Sequence, residues 1–185
     1  MEDFKNLAEI QKKSEEIFDG KILHLFKDTI ELPNGKEATR EVIRHVGAVA
    51  VVPVTDDGKV IVEQQFRYPL GRVITEIPAG KLDSLAEDRL DAAKRELEEE
   101  TGYTADEWTD LGIYYPAAAY CDEKITLYLA TGLHAGKRKL DEDEFLNVRE
   151  VPLEELVEDI MQGKIQDGKT QTALLKAYRI LREGR

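Results

Sequence analysis

The sequence predicts an α+β fold: a mixed sheet between helices, preceded by an N-terminal antiparallel strand subdomain. Three observations carry that reading. Short β-prone runs fill residues 22–66, one amphipathic segment occupies 88–101, and two further helical patterns follow Pro152.

Taken in order, residues 22–26 and 29–32 are apolar and β-prone, and the second run ends at the turn signal Pro33-Asn34-Gly35. Residues 41–46 alternate moderately. Residues 47–54 are apolar on both faces, as a buried central strand requires. Asp56-Asp57-Gly58 then turns the chain into 59–66, which predicts a hairpin between these two strands. In 88–101, Leu90, Ala93 and Leu97 recur at helical spacing and Gly102 is placed to end the helix. Residues 111–115 and 125–131 read as strands. Residues 154–161 and 170–181 read as helices with charged outer faces, the first of them introduced by Pro152. The expected organisation is a strand region at 1–45, suited to dimerisation, and a main domain at 46–185.

The totals narrow the function. A chain of 185 residues, 42% hydrophobic and 35% charged, suits one globular domain with a modest appendage rather than a disordered or membrane-embedded protein. A net charge of −12 argues against nucleic-acid binding, which depends on neutralising phosphates with Lys and Arg. It leaves room for a small phosphate compound held through divalent cations. No apolar run reaches the ~18 residues of a membrane span, and residues 1–13 lack the apolar stretch of a signal peptide. The single cysteine, Cys121, excludes an internal disulfide and fits a cytoplasmic location.

Chemistry concentrates in Arg95-Glu96-Leu97-Glu98-Glu99-Glu100-Thr101-Gly102-Tyr103. On a helix, Glu96, Glu99 and Glu100 stand at i, i+3 and i+4 and share one face. Three like charges there repel one another, and a hard cation such as Mg²⁺ or Mn²⁺ removes that cost. Leu97 points to the core, and Arg95 is within reach of Glu99. Taken alone, Glu-x-x-Glu-Glu is more often a solvated acidic face; the flanking residues shift the balance. Upstream stand Glu76-Ile77-Pro78-Ala79-Gly80, where Gly80 permits a tight backbone, and then Glu87.

Residues 80–103 resemble the Nudix box, with complete spacing from Glu87 onward and six rather than five residues between Gly80 and Glu87. Gln65-Phe66-Arg67-Tyr68-Pro69, Glu76 to Gly80, and Asp141-Glu142-Asp143-Glu144-Phe145 look like the ADP-ribose pyrophosphatase branch. The resemblance implies a Nudix-type α/β/α sandwich and Mg²⁺-dependent hydrolysis of ADP-ribose to AMP and ribose 5-phosphate, with Mn²⁺ as a possible substitute. By it, Glu96, Glu99, Glu100 and the Ala79 carbonyl hold metal. Arg67 clasps a substrate phosphate, and Glu144 aligns or deprotonates the attacking water; Glu76 reads equally as a substrate contact or as a cap on local backbone. Glu99 and Arg95 belong to the catalytic set. The resemblance also implies a homodimer whose N-terminal strands complete the partner's pocket. Ala118 stands where members that prefer ADP-ribose usually carry proline. Hydrolysis of another nucleoside-diphosphate sugar therefore stays open, as does a non-catalytic nucleotide sensor.

Other candidates weigh less. Glu98 points off the metal face, and Tyr68 and Tyr120 are more simply core or surface residues than base-stacking partners. His24, His45 and His134 lack ligand spacing. Cys121 has no evident activating partner. Asp122 and Glu123 read as a surface turn.

Overall fold

The computed structural model describes residues 4–140 and 145–183. The strands are β1 (Ile10–Asp19), β2 (His24–Glu31), β3 (Glu37–Arg44), β4 (Ala48–Pro53), β5 (Lys59–Arg67), β6 (Arg72–Glu76), β7 (Ala79–Lys81), β8 (Tyr103–Tyr114), β9 (Ile125–Ala135) and β10 (Leu146–Pro152). The helices are α1 (Arg89–Thr101), α2 (Leu153–Met161) and α3 (Gly168–Glu183). None among the described residues is long and apolar enough to cross a membrane. The chain forms two compact units, Met1–His45 with Tyr115–Glu123, and Val46–Tyr114 with Lys124–Arg185.

The first unit is an antiparallel sheet in the order β1-β2-β3. Its middle strand runs unbroken where the sequence suggests two short ones. Lys27-Asp28 interrupts the apolar pattern, but Asp28 is buried and receives Gln11 Nε2 at 2.7 Å and Arg44 Nη2 at 3.4 Å. A satisfied polar residue thus sits inside the strand, and the turn comes later, where Gly35 N–H donates to Leu32 O. Sequence reading missed β1, because it is exposed along its whole length and shows no buried alternation.

In the second unit a four-stranded mixed sheet has the order β7-β4-β9-β8, with β4 and β9 parallel. A three-stranded antiparallel sheet has the order β10-β5-β6. Every residue of β4 is buried. Val49 and Val51 pack with Ala92, Ala93 and Leu97 of α1. Ala48, Ala50 and Val52 pack instead with Val60 and Val62 of β5 and Ala173, Leu174 and Ala177 of α3. Helices therefore cover both faces of the mixed sheet, as expected of the α+β sandwich.

The predicted hairpin between 47–54 and 59–66 is corrected. The turn is present, but only an isolated Val54–Val60 bridge joins the two strands. Both edges of β4 are taken by β7 and β9, and both edges of β5 by β10 and β6. The strands part into facing sheets, and an apolar run buried on both sides carries no signal of which sheet it joins.

Candidate active site

Helix α1 is defined at both ends by its sequence. Asp88 Oδ1 accepts from Leu90 N–H at 2.9 Å and Asp91 N–H at 3.1 Å, relieving two unpaired amides of the first turn. Gly102 ends the helix in the left-handed conformation, φ 78°, donating to Glu98 O. Leu97 is fully buried against the sheet and fixes the rotation of the helix. That rotation buries Glu96 and Glu100 and leaves Glu99 partly exposed. Glu98 lies off this face and pairs with Lys139 at 3.2 Å.

The carboxylates meet the strand that precedes them. Glu96 lies directly on Gly80: a β-carbon there would stand 1.9 Å from the Glu96 carboxyl carbon. Glu100 Oε2 accepts the Ala79 N–H at 2.9 Å. Arg95 spans the group, donating to Glu96 at 2.7 Å, Glu99 at 3.2 Å and Glu87 at 3.3 Å. Burial works to lower the Arg95 pKa, but the Glu96 charge and hydrogen bond, with help from Glu99 and Glu87, carry it above its ordinary value. Glu87 also accepts the Asp83 N–H at 2.6 Å, so the six-residue loop is closed onto the helix by this carboxylate.

All the donors here are carboxylate or backbone oxygens, the chemistry a hard divalent cation prefers. The bare α-carbon of Gly80 gives one of them room beside the Ala79 backbone. Among the described residues, however, no three acidic, His or Cys side chains converge into a ready-made cage. Arg95 holds Glu96 and Glu99, while Glu100 turns to the Ala79 amide.

Arg67, at the end of β5, donates through Nε at 2.6 Å and Nη2 at 3.0 Å to the two oxygens of Glu76, at the end of β6. Glu76 is only 3% exposed. Burial works to lower the Arg67 pKa, and Glu76, with the more distant charges of Glu100 and Asp167, overcomes it and raises it. Sequence reading missed Lys169, in the first turn of α3, which donates to both Glu76 and Asp167. Asp167 also receives the Thr170 N–H and hydroxyl, and Thr170 Oγ1 accepts the Ile77 N–H at 3.1 Å. The available signal was Asp167-Gly168-Lys169-Thr170, a capping residue followed by a lysine on the inward side of a helix.

Glu144, with Asp141, Glu142 and Asp143, lies outside the described residues. Ala118 belongs to the first compact unit, beside a turn in which Tyr120 and Cys121 donate to Ala117 O. Asp122 accepts the His45 N–H in the same unit. Tyr68 and Tyr120 are exposed. The three histidines pair with separate acids, His24 with Asp19, His45 with Glu123 and His134 with Asp106.

Residues 44–172 match the NUDIX domain model, and residues 9–43 match the nucleoside diphosphate sugar hydrolase N-terminal domain model. The chain is 46% identical over 172 residues to the ADP-ribose pyrophosphatase of Bacillus subtilis (strain 168), covering 92% of each. It is 43% identical over 164 residues to the methanol dehydrogenase activator of Bacillus methanolicus, covering 88% of each. A solved structure described as an ADP compounds hydrolase superposes with a TM-score of 0.85 at 23% identity, over 96% of this chain and 97% of that one, and shows the same fold. The box read along α1, the sandwich around it and these likenesses agree: the chain belongs to the Nudix hydrolase family.

Proposed function

We propose that the protein hydrolyses the pyrophosphate bond of ADP-ribose to AMP and ribose 5-phosphate, with Mg²⁺ as its metal and Mn²⁺ as a substitute. The observation that carries this is the packing of Glu96 on Gly80, with Glu99 and Glu100 one turn on; the Arg67–Glu76 pair at the ends of β5 and β6 adds a guanidinium. The name of the Bacillus subtilis relative supports the substrate.

Glu96, Glu99, Glu100 and the Ala79 carbonyl would hold the metal, which neutralises phosphate charge and acidifies water. Arg95 orients Glu96 and Glu99. Arg67 meets the diphosphate with the edge of its guanidinium turned away from Glu76. In the reaction a water oxygen bonds to phosphorus, the bridging P–O bond breaks, and Glu144 takes the water's proton. Both products leave as phosphate monoesters, which is why a phosphatase reports turnover.

A second reading, hydrolysis of another nucleoside-diphosphate sugar, is favoured by Ala118 in place of the usual proline. Phosphatase-coupled release of phosphate from a panel of sugar nucleotides decides between them. ADP-ribose far ahead supports the first, another compound the second, and silence with every compound supports a nucleotide sensor instead.

We also propose a homodimer built on residues 1–45, in the cytoplasm. Ile10, Ile17 and Phe18 are more than half exposed on β1, an apolar surface that a second copy would cover. Light scattering on the full chain and on one lacking residues 1–19 tests it: a dimer and a monomer, respectively, are expected.

A further inference from the structure

We propose that Lys169 is a positioning residue for diphosphate binding, sharing the buried Glu76 carboxylate with Arg67 so that Arg67 keeps its outer edge for substrate. The proposal rests on the phosphate-binding role given to Arg67 above.

The geometry is specific. Arg67 meets Glu76 side-on, through Nε and Nη2. Its Nη1 makes no hydrogen bond among the described residues, so the end-on edge of the fork is open. The Glu76 side chain is 5% exposed, and Lys169, itself only 11% exposed, reaches it from α3. Asp167 holds Lys169 at 3.0 Å and is in turn fixed by Thr170. Within this hydrogen-bonded group alone, Arg67 and Lys169 balance Glu76 and Asp167; buried Glu63, opposite Glu76 in the β5–β6 register, and Glu100 stand outside that count and are the same in every variant below.

Without Lys169 the sum becomes −1. Arg67 would then be the sole cation on a carboxylate that water scarcely reaches, and an incoming diphosphate would compete with Glu76 for it. Without the Asp167 charge the sum becomes +1, and a diphosphate is attracted. The two changes act in opposite directions, whereas a purely structural cluster would suffer from both. Asp167-Gly168-Lys169-Thr170 marks a capped helix start in the sequence, but not that its lysine shares a carboxylate with Arg67.

The test compares KM and kcat for Lys169→Met, Lys169→Arg and Asp167→Asn with the unaltered protein under saturating Mg²⁺. Asn at 167 keeps an acceptor for Thr170. Lys169→Met is expected to raise KM about tenfold with a smaller change in kcat, as removing one charge from a half-screened site would. Lys169→Arg should restore KM, and Asp167→Asn should lower it. A double variant, Arg67→Met with Lys169→Met, should be no worse in KM than Arg67→Met alone, because Lys169 acts through Arg67.

Calorimetric binding of ADP-ribose to the metal-free variants should follow the same order without any turnover. Unchanged KM and affinity in Lys169→Met, a rise in KM with Asp167→Asn, or additive losses in the double variant would overturn the proposal. Should Lys169→Met fail to fold, Asp167→Asn and Lys169→Arg decide it. If the unaltered protein prefers another sugar nucleotide, the substrate reading alone fails and the series is read on that compound. If it neither binds nor cleaves any, the proposal falls too.

Discussion

Glu96 rests on Gly80 so closely that any β-carbon beneath it must push it aside: an added one would stand 2.1 Å from both carboxylate oxygens. Gly80 lies in β7, paired with Val49, and its backbone is not in the left-handed region. Its small size is needed for the approach of Glu96 and not for the path of the chain. Gly80→Ala should therefore fold and yet displace Glu96. The expected result is a rise of about tenfold or more in the Mg²⁺ concentration for half-maximal turnover. Titration of activity with Mg²⁺ alongside a thermal melt checks it.

Glu99→Gln and Glu100→Gln each remove one charge from the proposed metal face. Each should lower kcat at saturating Mg²⁺ by about a hundredfold or more. Glu100→Gln should also weaken the clasp on the Ala79 amide, because a neutral amide oxygen accepts less strongly. Steady-state kinetics give the answer, and wild-type turnover in both variants would remove these residues from the metal site.

The Asp88 cap allows a prediction about stability alone. Its carboxylate relieves two amides at the start of α1, and Asp88→Ala should cost about 1 kcal/mol in urea unfolding. Leu97, far deeper, should cost about 2–5 kcal/mol as Leu97→Ala, because it leaves a cavity between α1 and the sheet. A comparison of urea midpoints separates the two.

Much of this was legible beforehand because α1 writes its own boundaries. Asp88, Gly102 and the 3.6-residue spacing of Leu90, Ala93 and Leu97 are local signals. The acidic face followed from the same spacing. What stayed hidden depends on residues far apart in the chain. β6, β7 and β10 are short or mixed in pattern, and their pairing partners decide them. Glu76 read equally well as a substrate contact or a backbone cap; its partners, Arg67 and Lys169, are 9 and 93 residues away. The parting of β4 and β5 is of the same kind: the turn between them is local, but the choice of sheet is not.

Acid should expose Asp167. Burial tends to raise its pKa, but the Lys169 charge and the Thr170 hydrogen bonds hold it below the ordinary 3.8. A carboxylate depressed in the folded state contributes stability that is present above its unfolded pKa and lost as pH falls through the folded one. Asp167→Asn should therefore melt below the unaltered protein near neutrality, and the gap should close below about pH 4. Melting curves of both proteins across that range test the sign.

β5 divides its labour along its length. One end carries Arg67; the other leaves the Thr55–Lys59 turn, held by hydrogen bonds between Thr55 and Lys59 and by the Leu153 N–H, which donates to Gly58 O at 3.2 Å. At ~3.3 Å per residue the two ends lie roughly 26 Å apart. A fluorescent label or short peptide inserted between Asp56 and Asp57 would thus lengthen a connection between two sheets without disturbing either ladder or the Gly58–Leu153 bond. It would give a reporter of folding that is blind to the chemistry at the far end.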